Sequence, residues 1–156
     1  MRRSHGFTLL ELMVVVAIAA LATAGATLAL RDGQATQLER EALRLSAMLE
    51  SARAQSRTTG VPVVWRPRPE GFEFVDVRTR PDTPSMGTSS IWGPRSWLDS
   101  QTRAQIISPA GAQTLVLGPE PLIAAQRLTL QLGERSLTLA TDGLSPFAVA
   151  ASEVAQ

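Results

Sequence analysis

The order of apolar and polar positions divides the chain into three regimes. Between Phe7 and Leu30 the only formal charge is Glu11. As a helix rising about 1.5 Å per residue, that stretch spans roughly 36 Å, enough for a hydrocarbon core of about 30 Å. Backbone polar groups cannot go unpaired in lipid, so the stretch predicts one continuous helix. Arg31-Asp32-Gly33-Gln34 marks the exit from it. Gly25 and Gly33 are places where a helix could bend or fray, at a cost of about 1 kcal/mol each.

From Ala35 the pattern stays helical but becomes one-sided. Leu38, Ala42, Leu45, Leu49 and Ala52 are spaced four, three, four and three, which puts them on one face, with Met48 widening the stripe. Glu39, Arg40, Arg44, Glu50 and Arg53 fall largely off that seam. The helix is expected to end near Thr58-Thr59-Gly60, with Gly60 past its last turn and Pro62 shortly after. Two heptads are short for a coiled coil, so the seam is expected to pack on a sheet of the same chain.

The third regime is β. Val61–Trp65 and Phe72–Val77 read as strands about a turn at Glu70-Gly71, and Ala104–Ser108 and Thr114–Leu117 are further candidates. The clearest alternation is in Arg127–Leu132 and Arg135–Ala140, joined by Gly133-Glu134 as a two-residue hairpin loop led by glycine. Asp142-Gly143 marks a turn, and Phe147–Ala151 can supply a last strand. Residues 80–100 are the least regular, since Pro81, Pro84, Gly87, Gly93 and Pro94 forbid an uninterrupted element. Trp92 and Trp97 lie there, either pinning a long loop to the head or forming a partner surface. The apolar seam of the helix and the apolar face of an antiparallel sheet cover one another, which predicts an α+β fold.

Glu11 changes the picture of the apolar run, because a carboxylate deep in a bilayer costs about 2.5–3.5 kcal/mol. It could snorkel to the headgroups, or the run could be an ordinary secretory signal cut near Ala24 or Ala26. A third reading gives Glu11 a specific partner in an assembly. The string Gly6-Phe-Thr-Leu-Leu-Glu11, after a basic Met1-Arg-Arg-Ser-His leader and before a long apolar helix, favours that reading. It resembles the signal of type IV pilins and type II secretion pseudopilins. The resemblance implies cleavage between Gly6 and Phe7 by a prepilin peptidase, N-methylation of Phe7, and contact of Glu11 with the terminal amine of a neighbouring subunit. Gly6 lets a protease approach the backbone closely, and Arg2 and Arg3 hold the leader on the cytoplasmic side.

The stretch Glu41–Ser56 followed by Thr59-Gly60-Val61-Pro62-Val63, with the late Asp142-Gly143 and Pro146, resembles the H-type minor pseudopilin of type II secretion. That likeness implies a type IV pilin-like fold, a long N-terminal helix packed by its second half on an antiparallel β-sheet head. The chain then divides into a prepilin leader (1–6), a transmembrane and assembly helix (7–30), its amphipathic continuation (31–60) and a β-rich periplasmic head (61–156). It also implies a minor pseudopilin at or near the tip of a pseudopilus, anchored in the inner membrane, with other minor pseudopilins and the major pseudopilin as partners. The alternatives are a minor pilin of a type IV pilus, or a membrane-tethered periplasmic binding domain.

Composition narrows the chemistry. The 15 basic and 14 acidic residues become 13 and 14 once Arg2 and Arg3 leave with the leader. The pI near 8.9 therefore describes the precursor and gives no support for a nucleic-acid partner. There is no cysteine, and the one histidine, His5, is in the leader. Disulfides, thiolate chemistry and Cys-type metal sites are thereby excluded. Asp76, Asp82, Asp99 and Asp142 are scattered among turns without metal-ligand spacing, and no Gly-x-Ser-x-Gly segment occurs. Neither an enzyme nor a cofactor is expected, and no metal site.

Overall fold

The computed structural model describes residues 9–76 and 92–150, and for residues 24–32 and 76 the backbone alone. An N-terminal helix is followed by antiparallel sheet, the α+β order of a type IV pilin-like fold. Helix α1 (Leu9–Thr59) runs through both Gly25 and Gly33 without a break. It ends where the sequence predicts: Gly60 takes φ +69° and its N–H returns to the Ser56 carbonyl at 2.9 Å. A left-handed residue is cheap only for glycine, which is why the helix stops there. The chain forms two compact units, residues 1–35 and residues 36–156.

In the second unit the strands are β1 (Val63–Arg68), β2 (Gly71–Asp76), β3 (Gly93–Ser96), β4 (Arg103–Ser108), β5 (Leu115–Leu117), β6 (Gln126–Leu132), β7 (Arg135–Thr141) and β8 (Ala148–Ala150). The single sheet expected from the sequence is in fact two four-stranded antiparallel sheets, ordered β3-β2-β1-β5 and β4-β6-β7-β8. The expected irregular stretch contains β3, whose Gly-Pro-Arg-Ser has no strand propensity. It pairs with β2 because Gly71 lets the Arg95 backbone approach so closely that a Cβ there would overlap the Arg95 carbonyl. Val77 and residues 80–91 lie outside the described residues.

Both sheets and the helix seam feed one core. Leu38, Ala42, Leu45, Leu49 and Ala52 are all buried, together with Trp65, Phe72 and Phe74 from the first sheet and Leu128, Leu130, Leu132 and Leu139 from the second. The β6–β7 hairpin has Leu128 opposite Leu139 and Leu130 opposite Leu137, closed by Gly133 at φ +58° as the glycine-led loop requires. Gln126 of β6 donates from Nε2 to the Val116 carbonyl of β5 at 2.8 Å, a direct tie between the two sheets.

The apolar seam is flanked on both sides by polar side chains, two of them buried, that hydrophobic periodicity does not reveal. Arg53, expected off the seam, is only 2% exposed. Its guanidinium donates to the carbonyls of Pro121 (3.1 Å), Gly143 and Ser145 (3.5 Å). One turn earlier the Glu50 carboxylate accepts the Phe147 N–H at 3.0 Å, and Ser46 donates to the Phe147 carbonyl. At the other end Glu41, also buried, accepts the Leu98 N–H and pairs with Arg44 at 3.0 Å. These groups satisfy backbone donors and acceptors of irregular segments that would otherwise be buried unpaired. Gly143 completes the arrangement: it sits at φ +96°, where a Cβ would overlap the Ile123 carbonyl.

Two substitutions separate these contributions when the full chain is unfolded with urea in detergent micelles and followed by tryptophan fluorescence. Leu45→Ala is expected to cost about 2–5 kcal/mol as a buried truncation, whereas Leu43→Ala, at a residue 66% exposed, should stay within about 0.5 kcal/mol. Arg53→Met retains volume but removes the donors, and a loss of about 2–4 kcal/mol is expected from the three orphaned carbonyls. A neutral Arg53→Met would show that the clamp contributes nothing to stability.

Candidate functional site

In the first unit, the described part of the apolar run has no polar face. Leu12, Met13, Val14, Val15 and Val16 are all exposed. Successive residues of a helix are about 100° apart, so those five alone cover its whole circumference. Leu9, Leu10, Ile18 and Leu21 are exposed as well. The polar group of Thr23 is turned back on its own helix, its hydroxyl donating to the Ala19 carbonyl at 2.6 Å. A helix apolar on every side is stable only when something apolar surrounds it. Each such side chain gains about 1.5–3 kcal/mol on burial, far more than a helix of this length gains from propensity.

Glu11 lies in the first turn of α1 and is exposed. Gly6 and Phe7 lie outside the described residues. Among the described residues no helix is long and apolar enough to cross a membrane. The side chains described in the apolar run end at Thr23, short of the Leu30 at which the sequence pattern stops.

The two tryptophans of the irregular stretch have different fates. Trp97 is 5% exposed and belongs to the core, its ring centroid 4.8 Å from that of Phe72. The Trp97 backbone N–H donates to the Glu70 carbonyl at 3.4 Å, and the next residue, Leu98, is held by the buried Glu41 carboxylate. The Trp97 side chain is thus committed to pinning the segment down and does not present a contact surface. Trp92 is partly buried and packs against the same core.

The acids singled out in the sequence do structural work where they are described. Asp99 accepts the Gln101 N–H at 2.8 Å, forming a turn. Asp142 accepts the N–H groups of Ser145 (2.7 Å) and Leu144 (2.9 Å) and the Ser145 hydroxyl (3.2 Å). The Ser145 N–H, then the Leu144 N–H, hold its carboxyl below the ordinary value. Asp82 and the side chain of Asp76 lie outside the described residues. Among the described residues no group of three or more His, Cys, Asp or Glu could hold a metal ion. A charged residue beside an apolar seam reads as solvated, so the sequence pattern does not reveal the burial of Glu41 and Arg53.

Residues 1–27 match the family model described as Prokaryotic N-terminal methylation motif. No curated protein and no solved structure matches the chain. The matched motif is the cleavage and methylation signal read by prepilin peptidase, and it supports a type IV pilin-like protein, either a pilin or a pseudopilin.

The Asp142 turn has a pH signature. Its folded-state pKa lies below the unfolded value near 3.8, so its contribution is complete above that pH and is lost as pH falls through the folded value. Asp142→Asn is therefore expected to melt below the wild type at pH 7, with the gap narrowing steadily below about pH 4. A gap independent of pH would assign the effect to something other than the carboxylate.

Proposed function

We propose that the chain is a minor pseudopilin acting at or near the tip of a type II secretion pseudopilus, where it supports export of folded proteins across the outer membrane. The observation that carries the proposal is the methylation motif over residues 1–27, which leads into a helix apolar on every described face. In this reading prepilin peptidase cuts between Gly6 and Phe7 and methylates the new amine of Phe7. The stem holds the chain in the inner membrane with its head in the periplasm. Assembly with the major and other minor pseudopilins then replaces lipid around the stem by neighbouring stems.

The pairing of the Phe7 ammonium with a neighbour's Glu11 follows from the cost of isolated charge. In a low-dielectric fibre core an unpaired carboxylate and an unpaired ammonium are each expensive, and bringing them together removes both penalties. Glu11 thus acts in assembly rather than in insertion. The role is nonenzymatic: shape and burial do the work, and no residue is assigned to catalysis. A minor pilin of a type IV pilus would carry the same motif and use the same pairing. The resemblance of Glu41–Ser56 to the H-type pseudopilin and the absence of head cysteines favour secretion.

The test is made in cells that assemble the fibre. Mass spectrometry should find a mature chain beginning at methylated Phe7. Glu11→Ala should reach the membrane fraction at wild-type level yet enter fibres on the order of a hundredfold less, given a penalty of about 2.5–3.5 kcal/mol for the unpaired neighbouring charge. Wild-type incorporation of Glu11→Ala, or a mature chain retaining Met1–Gly6, would overturn the reading. Co-purification with pseudopilins rather than pilins decides between the two fibres.

A further inference from the structure

The second sheet has an open edge at β4, the end strand of the order β4-β6-β7-β8. Which of its backbone groups face outward follows from the β6–β7 hairpin. A two-residue loop makes its closing pair, Leu132 and Arg135, a hydrogen-bonded one, and the pairs alternate from there. Leu128 and Leu130 thus bond to β7, which leaves Thr129 and Gln131 to bond to β4. Thr129 meets Gln105, and Gln131 meets Arg103. Ala104 and Ile106 therefore turn their N–H and C=O groups away from β6. Among the described residues neither has a backbone partner on that side. The other edge strand, β8, differs, because Ser46 and Glu50 already take the Phe147 backbone at its start.

The β4 edge borders a cleft of about 530 Å³, within the range of ligand pockets, about 300–1,000 Å³. Ala104, Gln105 and Ile106 line it in succession, as do Arg66 and Pro67 of β1, and residues 111–114 complete it. Successive residues of a strand point to opposite faces, so three in a row form the wall only where the cleft meets the strand's edge. The β1–β2 turn is also a two-residue one, which pairs Arg68 with Gly71 and turns Pro67 away from β2, beyond Leu115, where the pairing with β5 stops. Proline has no N–H, so β1 offers no donor there and the open donors belong to β4. Arg66 is the one ionisable residue in the wall. It shares the single Glu73 carboxylate with Arg68 while remaining half-exposed, so the arginine pair keeps a net positive charge.

We infer that this cleft receives an extended segment of a partner protein, which adds to β4 as a further strand and carries an acidic residue for Arg66. Ala104 and Ile106 supply two donors and two acceptors for such a ladder, and main-chain bonds of this kind hold a segment whatever its side chains. Selectivity comes from Arg66, whose bond to a carboxylate is charge-assisted and whose guanidinium Glu73 already holds in place. The register shift between Ile106 and Ser108 ends the receiving stretch on one side. Pairing two β4 edges would bring two net-positive arginine pairs together, so charge favours an acidic chain over a second copy. All of these residues lie in the head, so the site stands or falls apart from the proposed fibre role.

The experiment titrates the full chain, nitrogen-15 labelled in uncharged detergent micelles, with the end-blocked peptide Ser-Val-Thr-Glu-Val-Thr-Ser. The Ala104 and Ile106 amide resonances are expected to shift saturably, and at saturation their hydrogen exchange should slow by about tenfold or more. The glutamine counterpart of the peptide should bind about threefold or more weakly, since only the charge on the bond is lost. A peptide methylated on alternate backbone nitrogens should not bind. Ala104→Pro removes an outward N–H and leaves the β6 ladder intact, so it is expected to keep the urea midpoint and lose binding about tenfold or more. If that variant does not fold, the methylated peptide makes the same distinction on the unaltered protein. The inference is overturned by no saturable shift at Ala104 and Ile106, by equal binding of the methylated peptide, or by a folded Ala104→Pro that binds as the wild type does. Self-association that Ala104→Pro abolishes, with no binding of the peptide, would overturn it in favour of a contact between copies.

Discussion

Burial of one apolar seam of α1 is the constraint on which the head depends. Leu38, Ala42, Leu45, Leu49 and Ala52 form the helical share of a core whose other walls come from two separate sheets. Neither sheet can stand by itself, because four short strands expose an entire apolar face. The helix acts as common ground for both, and Gln126 adds a polar tie from β6 to β5. The aromatic group of the first sheet, Trp65 and Phe72 with Phe74, gains Trp97 from the segment after β3, so that segment is fixed by the same core.

Apolar burial positions strands well, but it does not position irregular backbone. That task falls to polar residues of the helix, each placed beside the seam. Glu41 holds the segment after Trp97, Ser46 and Glu50 hold Phe147, and Arg53 gathers the loops at Pro121 and at Gly143–Ser145. Burying such groups is costly unless every neighbour supplies a complementary partner. Here the partners are backbone carbonyls and N–H groups that would be orphaned otherwise, so each contact lowers the penalty on both sides, with Arg53 Nε alone of that guanidinium left without a partner among the described residues. The same logic operates at the β1–β2 hairpin, where buried Glu73 is tolerable because two arginines reach it.

The first unit follows a different rule. In the head a polar face accompanies every apolar one, so the element has an inside and an outside. The stem from Leu9 to Thr23 has no such division, and its only charge is Glu11 in the first turn. Its described side chains are exposed, as fits the pilin- or pseudopilin-type motif matched over residues 1–27.

Much of this protein is written locally. The helix and its stop at Gly60, the buried seam, the β6–β7 hairpin with its glycine-led loop, and the prepilin-type signal all follow from spacing and from residues with strong conformational preferences. Such features depend on neighbours a few residues apart, so periodicity is enough to find them. The division into two sheets, β3 formed from Gly93-Pro94-Arg95-Ser96, and the burial of Trp97, Glu41 and Arg53 were decided elsewhere. Each depends on which distant backbone arrives beside it: Gly71 for β3, Phe72 for Trp97, Leu98 for Glu41, and Pro121, Gly143 and Ser145 for Arg53. A charged residue one step off an apolar seam has the same local signature whether it meets water or three carbonyls. Only the tertiary structure brings the carbonyls, and so only it decides which.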